Sequence, residues 1–208
     1  MSFSLQICLH DDLSPTHNDA PTPPEDADEA DGFTLSIPPN WTAGQGETEA
    51  LGANVTRRVL AWYPDASNPN RASVSVVVTN VAADFTSLGS FGTPDAFGQT
   101  LVNGLDRSYT AKASWGRPAK SLDEIQTAKL LESGSMGGMY TVEYQVKRPG
   151  QGVTHLWEVV ALCFNGTYNR LYTVTGQCGE EDLEKLGGEV KTVLDSFHTP
   201  ESKVGLAP

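Results

Sequence analysis

Between residues 31 and 198 the apolar positions recur with two different periods, and the switches between them mark out strands and helices. In DGFTLSIPPNW, Phe33, Leu35 and Ile37 alternate with Thr34 and Ser36 and then meet a double proline, the pattern of a half-buried strand that stops there. RRVLAWY (57–63) and ASVSVVVTNV (72–81) are rich in β-branched and aromatic residues and flank the turn-forming PDASNPN, so an antiparallel pair is expected. In FGTPDAFGQTLVNGLDR (91–107) the period lengthens: Phe97, Leu101 and Leu105 recur at helical spacing, with Thr93 suited to the N-cap, Pro94 to the first helical position and Asp95 to the first turn. Gly98 and Gly104 are expected to weaken this helix.

Four more strand-like runs follow: IQTAKLLESG (125–134), GGMYTVEYQVKR (137–148), VTHLWEVVALCF (153–164) and NRLYTVTGQ (169–177), separated by turns short enough for hairpins. The last run, EEDLEKLGGEVKTVLDSF (180–197), puts Leu183, Leu186, Val190, Val193, Leu194 and Phe197 on one helical face, with acids at its start where the helix dipole favours them. Strands bounded by two helices predict an α+β fold, a central antiparallel sheet sandwiched between helices. The domain is expected over 31–198. Residues 1–30 are Pro-rich and acidic with little to bury, and are expected to be a disordered tail carrying His10 and His17; residues 199–208 are expected to be a flexible C-terminal tail.

Charge narrows the partners. Of the net −12, eight acids fall in residues 1–31 with no Lys or Arg beside them, leaving −4 for the rest. Without a basic cluster, nucleic acid and anionic membrane surfaces are poor partners. No apolar run approaches the length of a membrane span, and MSFSLQICLHDD has neither the basic start of a signal peptide nor the Arg-rich character of a transit peptide.

The three cysteines, Cys8, Cys163 and Cys178, are too few for a disulfide framework and form no C-x-x-C pair. If the two strands around NGTYN form a hairpin centred near residue 167, Cys163 faces about residue 171 and Cys178 about residue 156. That separates the sulfurs by roughly 23 Å along the strands, which excludes a bridge. Asn165-Gly166-Thr167 matches a glycosylation sequon, as do Asn40-Trp41-Thr42 and Asn54-Val55-Thr56, but Asn-Gly is also a favoured hairpin dipeptide and needs no glycan to explain it.

Catalytic motifs are missing. LGSFG and SGSMG fall short of the nucleophile elbow, no phosphate-cradling P-loop occurs, and the glycines of GQGETEALG are spaced wrongly for a dinucleotide site. His155 and His198 are the histidines of the body, without ligand-spaced partners; His155 is the candidate metal ligand, weighed against a solvated rim position at the head of a strand. Asp106 and Arg107 at the end of the first helix, and Asn169 and Arg170 in the last hairpin, are candidate partner contacts, weighed against ordinary solvated charges. Trp62 and Trp157 sit in strands and are expected in the core, whereas Trp41 and Trp115 lie in loops and are the candidate exposed anchors.

The order of DGFTLSIPPNW, ASVSVVVTNV, ADFTSLGSFGTPDAFGQTLV, MYTVEYQV, HLWEVVALCFNGTYNRLYTVTGQ and VLDSF resembles the PsbP family of extrinsic thylakoid-lumen proteins of photosystem II, over about residues 31–198. The resemblance implies the same α/β/α architecture and a binding, non-enzymatic role on photosystem subunits, peripheral to the lumenal side of the membrane. It implies no required cofactor, with calcium the one ligand it brings in, because the family's founding member helps retain calcium and chloride at the water-oxidising cluster. The acidic tail and non-basic body depart from that member and point to an auxiliary lumenal factor for assembly, stability or repair. The alternative from a different class is a lumenal enzyme using a small-ligand or metal pocket between sheet and helices.

Overall fold

The computed structural model describes residues 25–28, 32–44, 46–52, 55–82, 84–112, 121–164 and 169–199. Its centre is an antiparallel sheet of eight strands. In chain order the strands are β1 (Glu25–Asp28), β2 (Phe33–Ser36), β3 (Thr42–Ala43), β4 (Glu47–Gly52), β5 (Val55–Tyr63), β6 (Ala72–Val81), β7 (Thr127–Met136), β8 (Met139–Lys147), β9 (Val153–Phe164) and β10 (Asn169–Gly179). Across the sheet the order is β3-β5-β6-β10-β9-β8-β7, with β4 continuing along the edge of β5 that β3 begins; β1 and β2 form a separate ribbon.

The strands expected from alternation are present and β5 pairs with β6 as expected. β3 and β4 are additional: GETEALG carries no apolar alternation, and an edge strand is held by its backbone ladder with β5. Strand structure also begins before residue 31, because Glu25–Asp28 pairs with β2. Main-chain pairing is indifferent to the acidic composition that marked this stretch as tail. The rest of residues 1–30 and residues 200–208 lie outside the described residues.

Helix α1 (Pro94–Leu105) lies on one face of the sheet, over β7 and β8. Thr93 accepts a hydrogen bond from the Ala96 N–H, Pro94 starts the helix and Asp95 sits in the first turn, as the sequence indicates. Gly98, read as a weakness, is a close contact: a Cβ there would come within 3.1 Å of Leu130 and 3.2 Å of Val142. Val102 is buried with Val142, Tyr144, Val146 and Leu156, and Phe97, Leu101 and Leu105 pack against them. Phe85 stacks on Phe91 at 5.1 Å, Phe91 meets Phe97 and Phe97 meets Tyr140 edge to face at 6.4 and 6.0 Å, and the Tyr140 hydroxyl donates to the Gly92 carbonyl, which ties the helix entry to β8.

On the opposite face the C-terminal segment is helical through three geometries: a 3₁₀ turn at Glu180–Asp182, a widened π turn at Leu183–Gly187, and α2 (Gly188–Asp195). The anticipated apolar face is the one that packs. Val190, Val193, Leu194 and Phe197 are buried, with Leu183 and Leu186 at the margin. Phe33, Tyr172 and Phe197 meet as a ring cluster with centroids 6.0–6.3 Å apart, and a bridge between Thr34 and His198 fastens β2 to the end of this segment. At its start Asp182 receives a two-pronged contact from the Arg71 guanidinium at the head of β6, which holds the Asp182 carboxyl below its ordinary range.

Helix and sheet approach closely at Gly176 in β10. A Cβ there would lie 2.5 Å from both Leu194 Cδ1 and Val190 Cγ1, so only glycine lets α2 settle at this depth. Gly176→Ala is expected to cost roughly 1–3 kcal/mol of unfolding free energy through overpacking. Urea denaturation checks this, and a variant as stable as the parent would contradict the packing described.

Candidate functional site

Under the π turn the sheet presents two cross-strand rows to the helical segment. One is Gln145 (β8), His155 (β9) and Cys178 (β10); the next is Glu143, Trp157 and Gly176. His155 is buried, its side chain 9% exposed. Its Nε2 lies 2.6 Å from Glu180 Oε2 and 2.6 Å from the Gln145 carboxamide, while Nδ1 is 4.0 Å from Glu143 Oε1. The Gln145 atom that faces the ring is its amide Nε2, so His155 Nε2 accepts from that amide in one tautomer and donates to Glu180 in the other. Glu143 is also 3.2 Å from Lys191 Nζ, and that ammonium stands 5.1 Å above the Trp157 ring.

Two buried nitrogens here, His155 Nδ1 and Trp157 Nε1, lack a hydrogen-bond partner among the described residues. Each such group costs about 1–3 kcal/mol if left unmet. Both residues line a cavity of about 240 Å³ together with Glu143, Leu183, Gly187, Gly188 and Lys191. Gly187 keeps the π turn close to the sheet, since a Cβ there would lie 2.9 Å from Leu183 and 3.6 Å from the Trp157 ring. The space is large enough for ordered water, which is the simplest partner for a polar lining.

The sheet's other face carries a second buried polar pair. Glu158, 7% exposed, stands in the row of Val142 and Thr175 and accepts a 3.2 Å hydrogen bond from the Tyr144 hydroxyl. Burial pushes its carboxyl up to about 7, against which the Tyr144 bond pulls only weakly. Burial and the nearby Glu158 charge raise the Tyr144 phenol above its usual range.

The sequence candidates are not brought together. His155 is buried inside a side-chain network and is not a solvated rim residue. Trp41 is 8% exposed and donates its indole N–H to Glu189 at 2.9 Å, so it is a core residue and not an exposed anchor. Trp115 lies outside the described residues. Asp106 caps the C-terminus of α1, accepting from the Ser108 hydroxyl and the Ala128 N–H, and the Ser108 bond lowers its carboxyl. Arg107 bonds back to the Asp106 carbonyl, and its own N–H goes to Gln126. Both therefore join α1 to β7. Asn169 and Arg170 pair with Phe164 and Cys163 at the far end of β10 from His155. Trp62 and Trp157 are buried as expected, and both described cysteines are free: Cys163 faces Arg170 and Cys178 faces His155, one residue from the anticipated register.

Glu143, Gln145, Glu180, Lys191 and Glu158 were not singled out from the sequence. A signal existed, because alternation in MYTVEYQVK puts Thr141, Glu143 and Gln145 on one face, and Glu158 interrupts an otherwise apolar run. Calcium takes roughly six to eight oxygen ligands. The His155 cluster offers an imidazole and an ammonium among its carboxylates and does not fit that ion. Among the described residues no group of three or more His, Cys, Asp or Glu side chains is placed to hold a metal.

The fold and site define an antiparallel α+β module whose site polar groups are mostly engaged with one another. The PsbP family model matches residues 26–199, and the chain belongs to this family. It is 37% identical over 170 residues to PsbP domain-containing protein 3, chloroplastic, from Arabidopsis thaliana, a match covering 82% of this chain; the chain spans 62% of that relative's length. Its fold is similar to that of cyanobacterial PsbP (CyanoP) from Synechocystis sp. PCC 6803, solved in solution, with a TM-score of 0.55 at 20% identity over 90% of this chain and 99% of that one. No helix among the described residues is long and apolar enough to cross a membrane.

Glu158 generates a signed pH prediction. Its folded value of about 7 exceeds the ordinary 4.5, so the folded state holds an extra proton between them, and stability rises as pH falls through this window. Above it the buried charge costs about 3 kcal/mol. Glu158→Gln is expected to be more stable than the parent at pH 8 and to lose most of that advantage by pH 5, measured by urea denaturation. A variant less stable than the parent at pH 8 would show that the carboxylate is favourably held.

Proposed function

We propose that this protein is a non-catalytic auxiliary factor of the chloroplast thylakoid lumen that docks on photosystem subunits, those of photosystem II first, during assembly, stabilisation or repair. The observation that carries this reading is the PsbP family match over nearly the whole described domain, joined to the 37% identity with a chloroplastic PsbP-domain protein. The chemistry of the site supports it. Around His155 the ionisable groups are spent on one another, Nε2 on Glu180 and Glu143 on Lys191. No serine or cysteine lines the small cavity to act as nucleophile.

One observation favours the enzymatic alternative: Glu143, His155 and Lys191 converge on a single concavity. Acid–base work would need His155 Nδ1 to face a reacting atom. That nitrogen instead faces the Glu143 carboxylate across 4.0 Å.

Affinity-tagged protein recovered from mildly solubilised thylakoids is expected to carry photosystem II core subunits or assembly intermediates, identified by mass spectrometry. Native protein confined to stroma or cytosol would sink the lumenal role, and recovery with photosystem I subunits would redirect it.

A further inference from the structure

Beyond the small cavity the same floor continues as an open groove between β8 and α2, about 340 Å³ in volume, sharing Glu143, Trp157 and Lys191 with it. Four carboxyl groups line the groove, Glu132, Glu143, Asp195 and the buried Glu158, against the one ammonium of Lys191. Among the described residues Glu132 and Asp195 have no ion-pair partner. The floor and rim add apolar surface in Val159, Leu194 and Met136, the last 55% exposed despite its hydrophobic side chain.

The arrangement around Trp157 is already that of a cation site. Lys191 Nζ lies over the indole and against Glu143, with its side chain 50% exposed. A half-exposed ion pair of this kind is weak and readily exchanged. An arginine from outside would do more in the same place: its planar guanidinium stacks on an indole and binds a carboxylate through two parallel hydrogen bonds, which an ammonium cannot. Anionic ligands are opposed by the carboxyl groups of this lining. A small inorganic cation would gain nothing from the methionine and leucine.

We propose that this groove is a docking site for a basic segment of a partner protein, in which a guest arginine displaces Lys191 from Trp157 and Glu143 while its apolar neighbours lie along Leu194 and Met136. Lys191 is then an internal competitor, a tethered stand-in that keeps the site closed until a better cation arrives. The proposal rests on the docking reading above and names the chemistry of the docked segment.

The test follows the indole N–H resonance of Trp157, assigned with Trp157→Phe, during titration with the capped hexapeptide Leu-Arg-Leu-Arg-Leu-Arg and its citrulline counterpart, which keeps the shape and removes the charge. The arginine peptide is expected to shift the resonance and the citrulline peptide to leave it in place. Lys191→Met is expected to tighten binding roughly tenfold by removing the competitor, and Glu143→Gln with Asp195→Asn to weaken it roughly tenfold. Lys191→Gln gives the same comparison if the methionine variant does not fold. A merely structural Lys191 predicts the reverse order, with the lysine variants binding no better than the parent. That result, equal shifts by the two peptides, or no binding by parent and Lys191→Met alike would overturn the proposal. If peptide binding fails while photosystem subunits still accompany the tagged protein, the groove is wrong and the docking reading stands. If the peptide binds and no photosystem subunit is recovered, the groove is right and the photosystem reading falls.

Discussion

The depth at which α2 sits on the sheet is set at one position. Gly176 lacks the side chain that would hold Val190 and Leu194 away, and the whole helical face depends on that contact. With α2 resting there, Lys191 comes over Trp157 and reaches Glu143, and Phe197 reaches Phe33 and Tyr172. A second glycine, Gly187, adjusts the same surface one step away, where the chain passes over the edge of Trp157 in a π turn. A regular helix with a side chain at Gly187 would press on the indole and on Leu183. The polar cavity beside His155 is thus a consequence of two glycines and the register that places them, and packing of α2 is tied directly to the shape of the functional face.

The two faces of the sheet handle buried polarity in different ways. On the α2 side His155 is surrounded by Gln145, Glu180 and Glu143, and the charge of Glu143 is met by Lys191. On the α1 side Glu158 has one neutral hydroxyl for company and answers burial by taking up a proton near neutral pH. The paired charges define a surface; the lone buried carboxyl makes stability depend on pH. The same strand, β9, supplies His155 to one and Glu158 to the other, because alternation sends neighbours of opposite parity to opposite faces.

Much of the architecture was legible because periodicity reports which face of an element is buried. Phe33, Leu35 and Ile37 alternate and are buried; Val190, Val193, Leu194 and Phe197 share a helical stripe and are buried. Thr93 and Pro94 mark a helix start through local chemistry that tertiary packing did not override. The hairpin centre read from NGTYN placed Cys163 and Cys178 within one residue of their partners. Elements held by backbone bonds alone were not legible: β1 and β4 are acidic or mixed runs whose pairing leaves no apolar signature. The site was harder still. His155, Glu143, Gln145, Glu180 and Lys191 come from three separated stretches, and only cross-strand register together with the seating of the helical segment brings them within 4 Å of one another in pairs. Trp41 misled for a related reason: a loop position says where the backbone runs, and the side chain turned inward to Glu189.

These observations bear on what kind of binding this face can support. A docking surface needs groups that are positioned by the fold yet not fully committed to it. His155 is too committed, with one nitrogen held by Glu180 and its ring tilted 31° against Trp157. Asp106 and Arg107 are spent on joining α1 to β7. Lys191 and Glu143 are the exception, since both are anchored by α2 and β8 but keep partial access to solvent. A pair of that kind costs little to open, and what it exposes is a preformed aromatic plane beside a carboxylate. The fold therefore concentrates its exchangeable charge next to its deepest packing contact, so that recognition there draws on a rigid scaffold and on a weak internal contact at once.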